Sequence, residues 1–132
     1  MANVQQAVAD ADIICTVTAA SEPILKSEWV QSGTHINAVG SSHAGPAEID
    51  NALVARARFF ADSREGVLSQ GAEFLRAKQA GLIDDTHILA EIGHVLAGTA
   101  EGRSRDEITI YKSLGHIVQD LASARRLYAQ RG

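Results

Sequence analysis

The chain has 132 residues, 45% of them apolar and 21% charged, with a net charge of −4 at neutral pH. That is the length of one domain able to bury a core, and the composition excludes a disordered or fibrous chain. The negative balance disfavours a nucleic-acid partner, which needs clustered Lys and Arg; no apolar run nears the ~18 residues a bilayer requires and residues 1–10 hold no signal-peptide core, which points to a cytoplasmic chain with no membrane partner.

Val4, Ala7, Val8 and Ala11 recur at helical spacing, so residues 3–10 read as the end of a short helix. Residues 12–18 follow as a fully buried strand tipped by Thr16, Val17 and Thr18. Cys15 lies inside it; a single cysteine excludes an internal disulfide, and its apolar neighbours predict a buried, inert thiol. Pro23, Ile24, Leu25 and Trp29 suit a short helical piece that Gly33 ends. Residues 34–42 run as a second strand, with Ile36, Ala38 and Val39 suited to cover on both faces, and stop at Gly40, Ser41 and Ser42. Pro46 opens a helix whose Ile49, Leu53, Val54 and Ala57 make one apolar face, and residues 58–61 are a third strand. Asp62 with Glu65 has the spacing of a capping box for a helix through Val67 and Leu68. A helix with Phe74 and Leu75 runs to Gly81. Asp85 or Thr86 caps the next, where Ile88, Leu89, Ile92, Val95 and Leu96 form a stripe that Gly98 stops. After a charged loop over residues 101–106, residues 107–111 alternate as a fourth strand and Ser113, Leu114 and Gly115 turn the chain. Ile117, Val118, Leu121, Ala124 and Tyr128 then mark a long closing helix, whose Arg125, Arg126 and Arg131 suit the negative end of its dipole.

Strands alternating with helices predict an α/β fold with right-handed crossovers and a parallel sheet. The polar tips at residues 16–18, 40–42, 62–63 and 113–115 then fall on one edge, at the strands' carboxyl ends, where open parallel sheets bind ligands. A dinucleotide site is normally announced by Gly-x-Gly-x-x-Gly after the first strand and an acidic residue further on. Neither is present, so a pyrophosphate grip would lie outside these residues. Gly40-Ser41-Ser42-His43-Ala44 approaches the nucleophile elbow of hydrolases, but the second glycine is missing and the following helix starts too late. His87, Glu91 and His94 share one face of the predicted helix at metal-ligand spacing. Ile88 and Leu89 set that helix's buried side, and solvated histidines rather than a metal site are the expectation. His43 lies beside the supposed crevice.

The segments Ala11-Asp12-Ile13-Ile14-Cys15-Thr16-Val17-Thr18, Glu22-Pro23-Ile24-Leu25, Trp29, His35-Ile36-Asn37-Ala38-Val39-Gly40, Ala61-Asp62-Ser63, Glu91-Ile92-Gly93 and Lys112-Ser113-Leu114-Gly115 closely resemble, in order and spacing over nearly the whole chain, the ornithine cyclodeaminase and mu-crystallin family. The resemblance implies an NAD- or NADP-dependent homodimer with a Rossmann domain and a second domain for dimerisation and substrate. Residues 1–132 would be the later half of the Rossmann-type parallel sheet with flanking helices, plus a closing helix toward the dimerisation domain. The glycine fingerprint and the amino-terminal substrate part would be absent, and one sheet edge would be left unpaired. Carried over residue by residue, Thr16, Val17 and Thr18 would run beside the dinucleotide, Val39 and Gly40 would turn near the nicotinamide ribose, and Ser113, Leu114 and Gly115 would lie beside the nicotinamide.

Ser42 stands where cyclodeaminases and the related alanine dehydrogenases carry an aspartate; the mu-crystallin-like ketimine reductases also have serine. A carboxylate takes a proton near neutral pH, whereas a hydroxyl needs a neighbouring base. The expectation is therefore a fragment of a cyclic-imine (ketimine) reductase acting on pyrroline- or piperideine-carboxylate, with Ser42 and water or His43 relaying the proton. Ornithine cyclodeamination to proline and ammonia, amino-acid dehydrogenation and non-catalytic, crystallin-like binding are the alternatives. Taken alone the chain is expected to be inactive, because hydride transfer needs a firmly oriented nicotinamide.

Overall fold

The computed structural model describes residues 3–104 and 106–131. Five parallel strands form one sheet: β1 (Ile13–Thr16), β2 (His35–Ala38), β3 (Arg58–Ala61), β4 (Ile88–Glu91) and β5 (Thr109–Lys112), in the order β1-β2-β5-β3-β4. α1 (Val4–Val8) precedes β1, and α2 (Asn51–Arg56) joins β2 to β3. α3 (Arg64–Gln70) and α4 (Ala72–Gln79) lead to β4, α5 (Ile92–Leu96) begins the return that inserts β5 between β2 and β3, and α6 (Ile117–Ala129) closes the chain. The fold is the expected α/β class, with one more strand. No helix among the described residues is long and apolar enough to cross a membrane.

The strand register explains the core. Ile14, Ile36, Ile110, Phe59 and Ile88 are neighbours in one row across all five strands, and all five are buried. Leu53 and Val54 of α2 and Phe74 and Ala77 of α4 complete the cluster, with the rings of Phe59 and Phe74 tilted at 5.4 Å. Burying each such large side chain contributes about 1.5–3 kcal/mol. One step toward the strands' carboxyl ends, the next row on the same face is Thr16, Ala38, Lys112 and Ala61. The two alanines flanking Lys112 leave room for its side chain to run out to α4.

Several elements depart from their sequence expectation for physical reasons. β1 is not buried on both faces: Ile14 and Thr16 point inward, whereas Ile13 is 64% exposed. Cys15 is exposed for the same reason, because an edge strand with one covered face alternates. In β2 only Ile36 and Ala38 are fully buried, His35 and Asn37 are half-buried, and Val39 beyond it is exposed. The helix expected over residues 86–98 is instead a 3₁₀ turn (Asp85–His87), β4 and the short α5. There Ile88 and Ala90 are buried and Leu89 is exposed, a two-residue period, and pairing with β3 outweighs the helical reading of the same apolar residues.

The helix expected from Pro46 begins only at Asn51, capped by Asp50, whose side chain accepts from the Leu53 amide at 2.8 Å. Before that cap, Ile49 bridges to Leu25 and the Glu48 carbonyl accepts the amides of Ile24 and Leu25. The cap of α3 is Ser63, whose hydroxyl accepts from Gly66 N at 3.2 Å, rather than an Asp62–Glu65 box. The helical piece expected around residues 23–29 shrinks to one 3₁₀ turn, Ser27–Trp29. α6 forms as expected, but every one of its residues is exposed.

Candidate functional site

Because β1, β2, β5 and β3 are parallel neighbours, the segments that follow them emerge side by side on one edge of the sheet. Residues 16–18 leave β1, residues 39–42 leave β2, residues 113–115 leave β5 and residues 62–63 leave β3. The expected convergence is therefore present, and two carboxylates organise it.

The first is Glu48, whose residue is wholly buried. Its Oε1 accepts from the Thr18 amide at 2.5 Å and its Oε2 from the Gly40 amide at 2.9 Å. Gly40 N also donates to Thr16 O at 3.1 Å, as Val39 N does at 3.0 Å. The approach is close enough that a Cβ on Gly40 would strike Thr18 O and the Glu48 carboxylate, which is why this position takes glycine. Burial pushes the Glu48 carboxyl up, but the hydroxyls of Thr16 and Thr18 and the amides of Thr18 and Gly40 together hold it below the usual carboxylate range. The Glu48 amide in turn donates to Glu73 Oε1 at 3.1 Å. Glu73 Oε2 pairs with Lys112 Nζ at 3.0 Å, both side chains being essentially inaccessible to solvent.

The second is Asp62, at the end of β3. Its Oδ1 accepts from Ser63 N at 2.7 Å, and its Oδ2 from Leu114 N at 2.7 Å and Gly115 N at 3.1 Å. Gly115 adopts φ +81°, a left-handed turn that glycine makes without a Cβ penalty. A third carboxylate, Glu91 at the end of β4, accepts from Arg64 N at 2.8 Å. The carboxyl edge is thus stitched by acidic side chains accepting backbone amides from neighbouring segments, bonds stronger than neutral ones because one partner is ionised.

The residues singled out in the sequence fall as follows. Thr16 is buried, Val17 and Thr18 are exposed, Gly40 is half-buried, and Ser113 and Leu114 are half-buried beside exposed Gly115. Ser42 and His43 are both exposed on the loop after β2, and no hydrogen bond joins their side chains among the described residues. One buried hydroxyl at this edge, Ser41 Oγ, has no hydrogen-bond partner among the described residues. His87, Glu91 and His94 are not brought together, because the helix that would have aligned them is broken: His87 Nε2 meets Val54 O at 2.8 Å, Glu91 holds Arg64, and His94 is exposed.

Glu48, Glu73 and Lys112 were not found by sequence reasoning. Their signal was phase: each is a charged residue where the surrounding pattern calls for an apolar one, Glu48 between Ala47 and Ile49, Glu73 between Ala72 and Phe74, Lys112 two residues after Ile110.

The sequence model of the Ornithine cyclodeaminase/mu-crystallin family matches residues 1–131. The ketimine reductase mu-crystallin of Mus musculus is 42% identical over 126 residues, which cover 96% of this chain and 38% of that protein. The structure of Thermococcus litoralis Delta(1)-pyrroline-2-carboxylate reductase in complex with NADH and L-proline superposes with a TM-score of 0.90 at 35% identity, covering 95% of this chain and 39% of that one. An archaeal alanine dehydrogenase dimer with bound NAD superposes with a TM-score of 0.81 at 38% identity, covering 89% of this chain and 37% of that one. The chain therefore spans under two-fifths of the length of each of these three relatives.

Proposed function

Because this chain belongs to the ornithine cyclodeaminase/mu-crystallin family, we propose that it is the nicotinamide-side part of an NAD- or NADP-dependent reductase whose substrate is a cyclic imine bearing a carboxylate, such as pyrroline- or piperideine-carboxylate. The observation that carries this reading is the state of the acids at the crevice. Glu48 and Asp62 are both spent on backbone amides, and the loop between them offers Ser42. Deamination with addition of water needs a general base near neutral pH, and none of these acids is free to act as one. Reduction of a preformed imine needs only a hydride, a proton and an anchor for the carboxylate.

The residues present fit the nicotinamide end of a dinucleotide. The unpartnered hydroxyl of Ser41 is available to a ribose or a carboxamide, and Gly40 lets the backbone come close. Val17, Thr18, Val39, Ser113, Leu114 and Gly115 line the same edge. A bound nicotinamide supplies the hydride. Thr16, Gly40 and the segment over residues 113–115 would orient it, and exposed Ser42 would pass a proton from water or from His43, the next residue in sequence. The glycine fingerprint for the pyrophosphate, the residue that distinguishes NAD from NADP, the carboxylate anchor and a homodimeric assembly would come from parts beyond these residues.

The test is turnover in a chain completed to the length of its relatives. Pyrroline- or piperideine-carboxylate should oxidise NADH or NADPH, and ornithine with NAD should yield neither ammonia nor proline. Ammonia from ornithine would establish the cyclodeaminase alternative, and cofactor binding with neither reaction would establish a binding protein. Ser42→Ala should lower imine reduction about tenfold or more, as loss of a proton-transfer group does; an unchanged rate would remove Ser42 from the mechanism.

A further inference from the structure

We propose that Glu48 is a positioning residue: its carboxylate, tied to the amides of Thr18 and Gly40, sets the separation of the two strand ends between which the nicotinamide half of the cofactor would lie. The proposal takes its purpose, though not its geometry, from the cofactor reading above.

Each oxygen of Glu48 grips a different segment, the one after β1 and the one after β2, so the gap between them is fixed by the width of one carboxylate. Glu48 itself cannot shift. Its carbonyl accepts Ile24 N at 2.9 Å and Leu25 N at 3.0 Å, and its amide is held by Glu73, which faces Lys112. Lys112 immediately precedes Ser113, so one line of contacts joins the ends of β1, β2 and β5. The charged groups packed around Glu48 are thus Glu73 from α4 and, behind it, Lys112 from β5; the latter offsets one of the two buried negative charges.

The chemistry requires a carboxylate. Both partners are N–H donors, and a glutamine would turn its NH₂ toward one of them. Because Glu48 consumes both amides, the crevice here presents carbonyls and hydroxyls rather than an anion-binding pair of N–H groups. That surface suits a carboxamide or ribose hydroxyl and repels phosphate, which places the pyrophosphate elsewhere along the cofactor's path.

The experiment is a pH titration followed by amide NMR, with NADH titrations of wild type and Glu48→Gln, all in the chain completed to the length of its relatives. In the wild type, the amide protons of Thr18 and Gly40 should move together with the Glu48 carboxyl signal. In Glu48→Gln that shared titration should vanish, exchange at Thr18 or Gly40 should quicken about tenfold or more, as loss of one charge-assisted hydrogen bond implies, and NADH should bind more weakly. The proposal is overturned if the two wild-type amides ignore Glu48, a result that does not depend on the variant folding, or if the variant loosens both amides yet binds NADH as wild type does. If NADH perturbs no crevice amide in the completed wild-type chain, the cofactor reading fails and the amide titration alone decides whether Glu48 sets the gap.

Discussion

The two faces of the sheet carry similar side chains and cover them unequally. On the face toward α4, Ile36, Phe59, Ile110, Leu53 and Phe74 are inaccessible to solvent, and so are Lys112 and, nearly, Glu73. On the other, Cys15 is exposed, Ile13 is 64% and Val17 beyond β1 is 69% exposed, and a cavity of about 160 Å³ opens between His35, Phe60, Tyr111, Ile92 and Val95. Ile117, Leu121 and Tyr128 of α6 are exposed as well. The difference shows that apolar sequence does not choose its own burial; a covering element does. Where α2 and α4 supply one, the packing is tight enough to hold charges in fixed partnership. Beside β1, where the described residues supply none, the same residue types form an open apolar surface of the kind that marks contact sites, whereas Phe60, on that face of β3 beside α5, is only 3% exposed.

The largest effect should come from breaking the buried pair on the covered face. Lys112→Met removes the cation and strands Glu73 in the interior, a change that costs about 3–5 kcal/mol when one partner of a buried pair is lost. Lys112→Met combined with Glu73→Gln should recover most of that loss, because neither charge of the pair remains and the glutamine carbonyl still accepts the Glu48 amide. Urea unfolding of the two variants measures both. A double variant as unstable as the single one would mean that Lys112 acts through packing rather than through its charge.

That pair also marks the limit of what the sequence disclosed. The apolar row of Ile14, Ile36, Ile110 and Phe59 was legible, because strands of Ile, Val and Phe bounded by glycine and polar tips leave few alternatives, and with it the edge on which residues 16–18, 40–42 and 113–115 converge. β4 was not, because Ile88, Leu89 and Ile92 satisfy a helical period as well as a strand's, and the deciding factor, a free edge on β3, lies 27 residues away in the chain between Ala61 and Ile88. The exposure of Cys15 depended on there being no cover on one face of β1, which composition does not encode. Glu48 was hidden by distance: its partners, Thr18 and Glu73, are 30 and 25 residues away, and its place between Ala47 and Ile49 marks an acid out of phase without saying what it binds.

An intermediate effect separates the faces by pH. His35 lies on the open side, and burial first, opposed by the Asn37 side chain and reinforced by the Arg103 charge, holds its imidazole below the usual histidine value. A base with a depressed folded pKa binds fewer protons folded than unfolded, so stability should fall as pH drops below about 6.5, the ordinary histidine value. Glu48 on the covered side is an acid with a depressed folded pKa. Its contribution is complete above about 4.3, the ordinary glutamate value, and is lost as pH falls further, through its folded pKa. Urea midpoints against pH should therefore decline in two stages, and His35→Gln should abolish only the first. A single decline beginning below the histidine range would show that the open face gives His35 no differential environment.

The smallest effect should be on α6. Leu121 is 67% exposed, so Leu121→Ala removes little buried area, and alanine is slightly the better helix former; the change in stability should stay within about ±0.5 kcal/mol, the usual range for surface sites. The same truncation at Phe74, in the covered core, would be expected to cost about 3–5 kcal/mol, so the two sites bracket the contrast between the faces. A loss above about 1 kcal/mol at Leu121 would show that α6 packs against the chain or against a second copy. Repeating the unfolding at several protein concentrations separates these cases: packing within one chain is independent of concentration, whereas stabilisation by a second copy grows with it.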